Sequence, residues 1–206
     1  MIKYYILCSI YFVFFLGYID NRANANEPRS TICAYDEGKV LSQSYLDFDQ
    51  NPHSGWRFLD SKGCRVSAIH IMKAYNKGAS SLTYDQHKNI LWHIGQLYAL
   101  DGHREEAIVY FRESKKDGLD VWNDYVDVTI AFMLRNHKDL IRYENKLRHE
   151  PMPEAGYYYV RNGKKIELSW PPNLDVAERL DRCFNQSYNI AYDKCTVPTA
   201  NPIILK

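Results

Sequence analysis

The sequence has almost no net charge and none of the short motifs that mark common catalytic sites. Its 26 Lys and Arg residues oppose 25 Asp and Glu residues, which leaves a formal charge of +1 at pH 7. Such a chain has no basic field with which to hold nucleic acid or an anionic membrane surface. It also lacks G-x-S-x-G, H-E-x-x-H and a phosphate-binding glycine loop. We therefore expect no nucleic-acid partner, and an enzyme is the less favoured class.

The sequence also lacks an apolar run long enough to span a bilayer. Its longest run, Tyr4–Tyr18, falls short of the ~20 residues that a membrane helix needs. Lys3 precedes this run and the small residues of Ala23–Ala25 follow it, as in a cleavable secretory signal. We predict a signal peptide over 1–25, cleaved after Ala25, although an uncleaved anchor is the alternative. The mature chain would then be one domain over 26–206, periplasmic or secreted, without stable membrane insertion.

Cysteines are few, and none is arranged in the C-x2-C spacing of a zinc site. Outside the predicted signal they are Cys33, Cys64, Cys183 and Cys195. An even number of cysteines in an exported chain predicts two disulfides, for which three pairings are possible. We favour Cys33–Cys64 and Cys183–Cys195, because each couples a cysteine near a predicted helix to an adjacent loop. A pairing that ties the N-terminal segment to the C-terminal one is the alternative, and no metal or other cofactor is expected.

The segment Leu82–Asp120 has the pattern of a helical hairpin. Thr83–Gln86 has the spacing of a capping box at the start of its first helix. Apolar residues then recur at helical spacing until an Asp-Gly pair ends the helix. Gly95 and Ala107 are small enough for two helices to approach closely, and Phe111 can fill the space beside them.

At these positions the hairpin resembles a tetratricopeptide repeat, whose motif is W-x2-L-G-x2-Y, then A-x3-F, then P, on a period of about 34 residues. Leu91 takes the Trp position and Leu119 the Pro position. The matching residues are Ile94, Gly95, Tyr98, Ala107 and Phe111. A degenerate second copy begins at Tyr125. The resemblance implies stacked helical hairpins that bind a protein or peptide partner, and it implies no reaction.

The rest of the pattern predicts a mainly α-helical, single-domain stack of about six helices. Further helices are predicted near 64–77, 121–134, 138–149 and 174–191. Asn162-Gly163 favours a type I′ turn, which predicts a short β-hairpin near 157–168. The polar segment 26–62 is expected to be irregular.

Several other strings resemble exported bacterial proteins of unassigned function. They are Phe48-Asp-Gln50, Gly55-Trp-Arg57, Gly63-Cys64, Trp92-His-Ile-Gly-Gln96, Trp122–Asp127 and Trp170–Val176. This resemblance runs over most of the mature chain. It implies an exported location and no particular reaction.

The candidate binding residues lie on the first helix of each predicted hairpin, which lines the concave side of such stacks. They are Trp92, His93, Gln96, Asn123 and Asp127. Polar groups beside an aromatic platform suit recognition of a peptide or loop. In the alternative interpretation, Trp92 and Trp122 are core residues and the polar groups make hydrogen bonds between helices.

We therefore predict an exported protein-binding module. The alternative is a small envelope hydrolase with a site assembled around His93 and Asp127, since catalytic groups need proximity only in the fold. His93 cannot share a metal with His87 on the same helix, because six residues place them on different faces. A lone histidine on a packed helix is more often a hydrogen-bonded structural residue than a general base.

Overall fold

A computed structural model describes residues 33–79, 81–161 and 163–195 of the 206-residue chain. The predicted signal peptide over 1–25 and its cleavage site lie outside these residues, as does Asn162 of the predicted turn. The described chain is mainly helical, with one small β-hairpin and two disulfides, as predicted. Within it, no helix is long and apolar enough to cross a membrane.

The α-helices of the described chain are α1 (Glu37–Leu41), α2 (Gly55–Ser61), α3 (Arg65–Gly78), α4 (Tyr84–Leu100), α5 (Arg104–Glu113), α6 (Asp120–Met133), α7 (His137–Arg148) and α8 (Leu174–Arg182). Two π-helical turns, Leu46–Gln50 and Ile190–Lys194, add to these. Successive helices pack in pairs, α2 on α3, α4 on α5 and α6 on α7, and α8 packs against α6 and α7.

Two predicted boundaries are wrong. The expectation that 26–62 is irregular fails in its described part, because α1, α2 and the first π turn lie there. Burial of Phe48 and Trp56 stabilises these short helices. The segments are too short to show a helical repeat of apolar residues, so the sequence pattern did not predict them. The last α-helix ends at Arg182 rather than near 191, and the chain then turns back to form a disulfide.

Helix α4 begins and packs as its sequence predicts. Thr83 Oγ1 accepts a hydrogen bond from the backbone N–H of Gln86 at 3.3 Å, and Gln86 Oε1 accepts one from the backbone N–H of Thr83 at 2.9 Å. These two bonds complete the capping box. Further along, Gly95 lies against the Phe111 ring of α5, where a Cβ would come within 2.7 Å of Phe111 Cδ1. Glycine therefore permits the close approach of α4 and α5.

Two groups of buried side chains form the core, and α4 contributes to both. The first group joins α2, α3 and the first π turn to Ile90, Ile94 and Leu97 of α4. The second joins α5, α6, α7 and α8 to Trp92 and Ala99 of α4. Helix α4 therefore lies between the two groups and is buried on more than one face.

The cross-links and the hairpin are confirmed. Cys33–Cys64 and Cys183–Cys195 are bonded, with Cα atoms 5.5 Å and 6.1 Å apart. Strands β1 (Tyr158–Arg161) and β2 (Lys164–Glu167) pair antiparallel, so that Tyr159 faces Ile166. Neither disulfide links the two ends of the chain to each other.

Candidate functional site

The structure places Trp92 in the core. Its side chain is 4% exposed, and its ring centroid lies 4.7 Å from that of Phe111 and 5.0 Å from that of Tyr125. Trp122 meets it edge-on at 5.1 Å. Trp92 therefore stabilises the packing of α4 against α5 and α6 and offers no surface to a partner.

Asn123 and Asp127 hold the segment between α5 and α6. The Asn123 amide accepts a bond from the Lys116 backbone N–H at 2.9 Å and donates one to the Lys116 carbonyl at 2.7 Å. Asp127 pairs with Lys115 Nζ at 2.6 Å. It also lines a cavity of about 360 Å³ with Arg112. Both residues lie apart from the site described next.

His93 and Gln96 are brought together, and they join residues that the sequence did not single out. Their neighbours are Asp49 from the first π turn, Trp56 and Arg57 from α2, and Tyr192 from the second π turn. We call this group of six side chains the His93 network. It is assembled from three separate regions of the chain.

Asp49 is the buried carboxyl group of the network. Its side chain is fully buried, and Oδ1 accepts a hydrogen bond from Trp56 Nε1 at 2.9 Å. Gln50 donates to Oδ2, and His93 Nε2 lies 3.7 Å from the same oxygen. Buried polar groups need such partners, because an unsatisfied one costs about 1–3 kcal/mol. Asp49 therefore fixes the Trp56 ring from behind.

Both ring nitrogens of His93 are engaged by side chains. Nδ1 lies 2.8 Å from Gln96 Oε1, and an amide oxygen only accepts, so Nδ1 carries the proton. Arg57 Nη2 donates to Nε2 at 3.4 Å. Burial lowers the pKa of His93, and the charge of Arg57 lowers it further, against the opposing effects of Asp49 and Gln96. His93 is therefore a neutral imidazole that links Gln96 to Arg57.

A cavity of about 360 Å³ lies in front of this network; we call it the Trp56 cavity. Gln96 Nε2 donates to the Tyr192 hydroxyl at 3.0 Å, and the Arg57 guanidinium carbon lies 4.3 Å above the Trp56 ring. The lining comprises Pro52, Trp56, Arg57, Asp60, Ser61, Gln96, Leu97, Leu100 and Tyr192. His93 and Asp49 stand behind this lining and orient it.

Sequence reasoning missed Asp49, Trp56, Arg57 and Tyr192 as site residues. Three of the strings on which the predicted resemblance rests meet at this site: Phe48–Gln50, Gly55–Arg57 and Trp92–Gln96. Membership of these strings was the sequence signal that could have pointed to Asp49 and Arg57. Tyr192 had no comparable signal, because it belongs to the segment predicted to follow the last helix.

Gly55 allows α2 to sit against the first π turn. Its φ is +56°, a conformation that other residues rarely adopt, and a Cβ there would overlap the Phe48 carbonyl. Because Phe48 and Gly55 touch in this way, Asp49 and Trp56 are held next to each other. The glycine thus determines the geometry of the buried carboxylate.

Among the residues described, no group of three or more His, Cys, Asp or Glu side chains could hold a metal ion. The cysteines of the described chain are all in disulfides. No known family model matches the sequence, and neither a curated protein nor a solved structure matches the chain.

Proposed function

We propose that this protein is an exported, non-enzymatic module that binds a peptide segment or loop of a protein partner at the Trp56 cavity. One observation carries the proposal: the hydrogen bonds of His93 and Gln96 fix Arg57 and Tyr192 in the cavity wall. The network therefore serves to orient a recognition surface.

The bonding of His93 favours binding over catalysis. A general base needs a nitrogen that can reach a substrate proton. In this site Nδ1 donates to Gln96 and Nε2 accepts from Arg57, and His93 lies behind the cavity lining. The pair of His93 and Asp127 on which the hydrolase alternative depends is not formed, because Asp127 pairs with Lys115 and the carboxylate that faces His93 is the buried Asp49.

The lining has the composition of a protein-recognition surface. Tyr and Arg are among the residues that most often dominate binding energy, and Tyr192 and Arg57 line the cavity. Trp56 is itself buried, at 5% exposure, and supports the Arg57 guanidinium that stacks on its ring. These three side chains are already hydrogen-bonded or stacked, so little conformational entropy is lost when a partner binds. The volume of about 360 Å³ is at the small end of the roughly 300–1,000 Å³ of ligand pockets. It suits one or two partner side chains inserted from a loop.

The two disulfides support an oxidising compartment. Disulfides form and persist in oxidising compartments, and this chain carries two of them. Together with the predicted signal over 1–25, they support a periplasmic or secreted location, where the partner would also be found.

The test is affinity capture from envelope and culture extracts with the disulfide-intact protein. Ser61→Trp places an indole at an exposed position of the cavity lining, without removing any side chain of the His93 network. Ser42→Trp is the matched control, because Ser42 is also exposed and also bonds the carbonyl three residues before it. We expect one partner recovered by wild type and Ser42→Trp and lost with Ser61→Trp.

Arg57→Ala removes the cation of the lining directly, and Arg142→Ala removes an exposed arginine from α7. We expect at least a tenfold weaker complex for Arg57→Ala, as is typical of hot-spot residues whose truncation costs about 2 kcal/mol, and no change for Arg142→Ala. Equal recovery of the partner by wild type and Ser61→Trp, at equal melting temperature, would refute binding at this cavity.

A further inference from the structure

A second cavity, of about 370 Å³, lies where the α4–α5 turn, the end of α6 and the segment 187–189 meet. Two arginines line it, Arg104 at the start of α5 and Arg135 just after α6. We call it the arginine cavity. It shares Leu100 with the Trp56 cavity but otherwise has its own lining.

Arg135 is held rigidly at this cavity. Its guanidinium donates to the carbonyl oxygens of Phe184 and Gln186, the latter at 2.8 Å, and lies 4.8 Å from the centre of the Phe132 ring. Its φ is +57°, at a helix end where glycine is the usual residue. Carbonyl oxygens and an aromatic ring orient the guanidinium but do not neutralise it. The positive charge of Arg135 therefore stays available.

Arg104 adds a second positive charge. Within the described chain its side chain is exposed and makes neither an ion pair nor a hydrogen bond. Arg104 and Arg135 line the same cavity, so their two positive charges face one space. Burial lowers the pKa of Arg135, and the charge of Arg104 lowers it further, as expected for such a pair. An anion placed between them would turn this repulsion into two attractions.

The acidic residue of the lining does not cancel these charges. The Asp101 carboxylate lies 3.4 Å from His103 Nε2 and 3.7 Å from Arg65 Nη1. Arg65 is shared between Asp101 and Asp60, to which its Nε bonds at 2.9 Å. Asp101 therefore offsets one of the two cavity arginines at most, and the lining keeps a positive charge in excess.

The remaining lining indicates what kind of anion would fit. Ser187 and Asn189 provide a hydroxyl and an amide, which can donate to further oxygens of the anion. Leu100, Phe132 and Met133 provide an apolar wall. A phosphate monoester carries about −1.5 to −2 charges near pH 7, whereas a carboxylate carries one. A phosphate monoester also presents three acceptor oxygens, which suit the donors of two guanidinium groups, a hydroxyl and an amide better than the two oxygens of a carboxylate do.

We propose that the arginine cavity binds a small organic phosphate monoester, with the phosphate between Arg104 and Arg135 and the organic group against Phe132 and Met133. This site is separate from the proposed partner site. Either one can therefore fail without the other.

The experiment is titration calorimetry of the disulfide-intact protein with phenyl phosphate, inorganic phosphate and benzoate. We expect phenyl phosphate to bind most tightly, because it meets both the charge and the apolar wall, and its affinity to fall as salt is raised. Arg104→Gln should weaken phenyl phosphate about tenfold or more, since hydrogen bonds to charged groups are among the strong ones. Arg142→Gln, on an exposed arginine of α7, should leave its binding unchanged.

Arg135→Gly removes the second guanidinium while placing the residue best suited to a φ of +57°. Its melting temperature, measured alongside, shows whether the fold is kept. Phosphate probes that fail to bind wild type, or that bind Arg104→Gln and folded Arg135→Gly as tightly as wild type, would overturn the proposal. Benzoate binding more tightly than phenyl phosphate would also overturn it, in favour of a carboxylate ligand.

Discussion

The contact between Gly95 and Phe111 yields a sharp test of how α4 and α5 pack. In Gly95→Ala the new Cβ would lie 2.7 Å from Phe111 Cδ1, 2.9 Å from Cε1 and 3.3 Å from the Ala107 carbonyl oxygen. Phe111 is fully buried, so its ring has little room to move away. The helices must separate or the ring must leave its preferred rotamer.

Two opposing effects determine how much Gly95→Ala changes the free energy of unfolding. Replacing glycine by alanine inside a helix gains about 1 kcal/mol from backbone propensity. Overpacking a core position costs about 1–3 kcal/mol. The matched control is Gly78→Ala at the end of α3, where a Cβ meets nothing within 4 Å. Gly78 is the last residue of α3, so its propensity gain is smaller than the interior value. Gly95→Ala should still be the less stable of the two variants, by up to about 3 kcal/mol.

Urea unfolding monitored by circular dichroism measures this difference directly. Phe111→Leu in the Gly95→Ala background should recover part of the loss, because the smaller side chain withdraws the ring edge. A coupling energy of about 0.5–3 kcal/mol between the two sites is expected for residues in contact. If Gly95→Ala is as stable as Gly78→Ala, the proposed close approach of α4 and α5 is wrong.

Three further outcomes are expected. Trp92→Ala should lower the free energy of unfolding by about 3–5 kcal/mol, since a buried indole leaves a cavity; a loss below 1 kcal/mol in urea unfolding would show an exposed ring. The pKa of His93 is lower in the folded protein than the value of about 6.5 in the unfolded chain, so the unfolded state binds a proton more readily. The fold is therefore fully stable with respect to His93 above about pH 6.5, and it loses stability as the pH falls from there towards the folded-state pKa. His93→Gln should flatten that part of a curve of melting temperature against pH, and an unchanged slope would contradict the assignment. Replacing Cys33 and Cys64 by serine should destabilise the protein more than replacing Cys183 and Cys195. The closed loops span 31 and 12 residues, for which loop entropy predicts a loss of about 4 and about 3 kcal/mol in the free energy of unfolding. The reverse order of urea midpoints would refute this.

Local sequence patterns predicted the middle of the chain well. The capping box of Thr83–Gln86 joins residues three positions apart, so the sequence alone contains all of its parts. The disulfide pairing also followed from local position, because each bridge ties a helix to a loop close to it in sequence. Helix α2 was not predicted, because it is stabilised by burial of Trp56 and its sequence has no helical repeat of apolar residues.

The candidate site could be predicted only in part. His93 and Gln96 share one turn of α4, so helical spacing was enough to pair them. Asp49 and Tyr192 contact them from two π turns at opposite ends of the described chain. A local sequence pattern cannot predict contacts between residues so far apart in sequence. Trp92 was placed in a groove because the first helix of each predicted hairpin was expected to line the concave side of the stack, whereas α4 is packed on more than one face.

The position of α4 between the two buried groups has a consequence for how the protein unfolds. Neither half of the core can lose its structure while leaving intact the helix that completes the other half. The domain should therefore melt in one cooperative transition, although each disulfide closes a loop in only one half. Amides on both faces of α4 would then exchange with solvent only through global opening, at the slowest rates in the molecule.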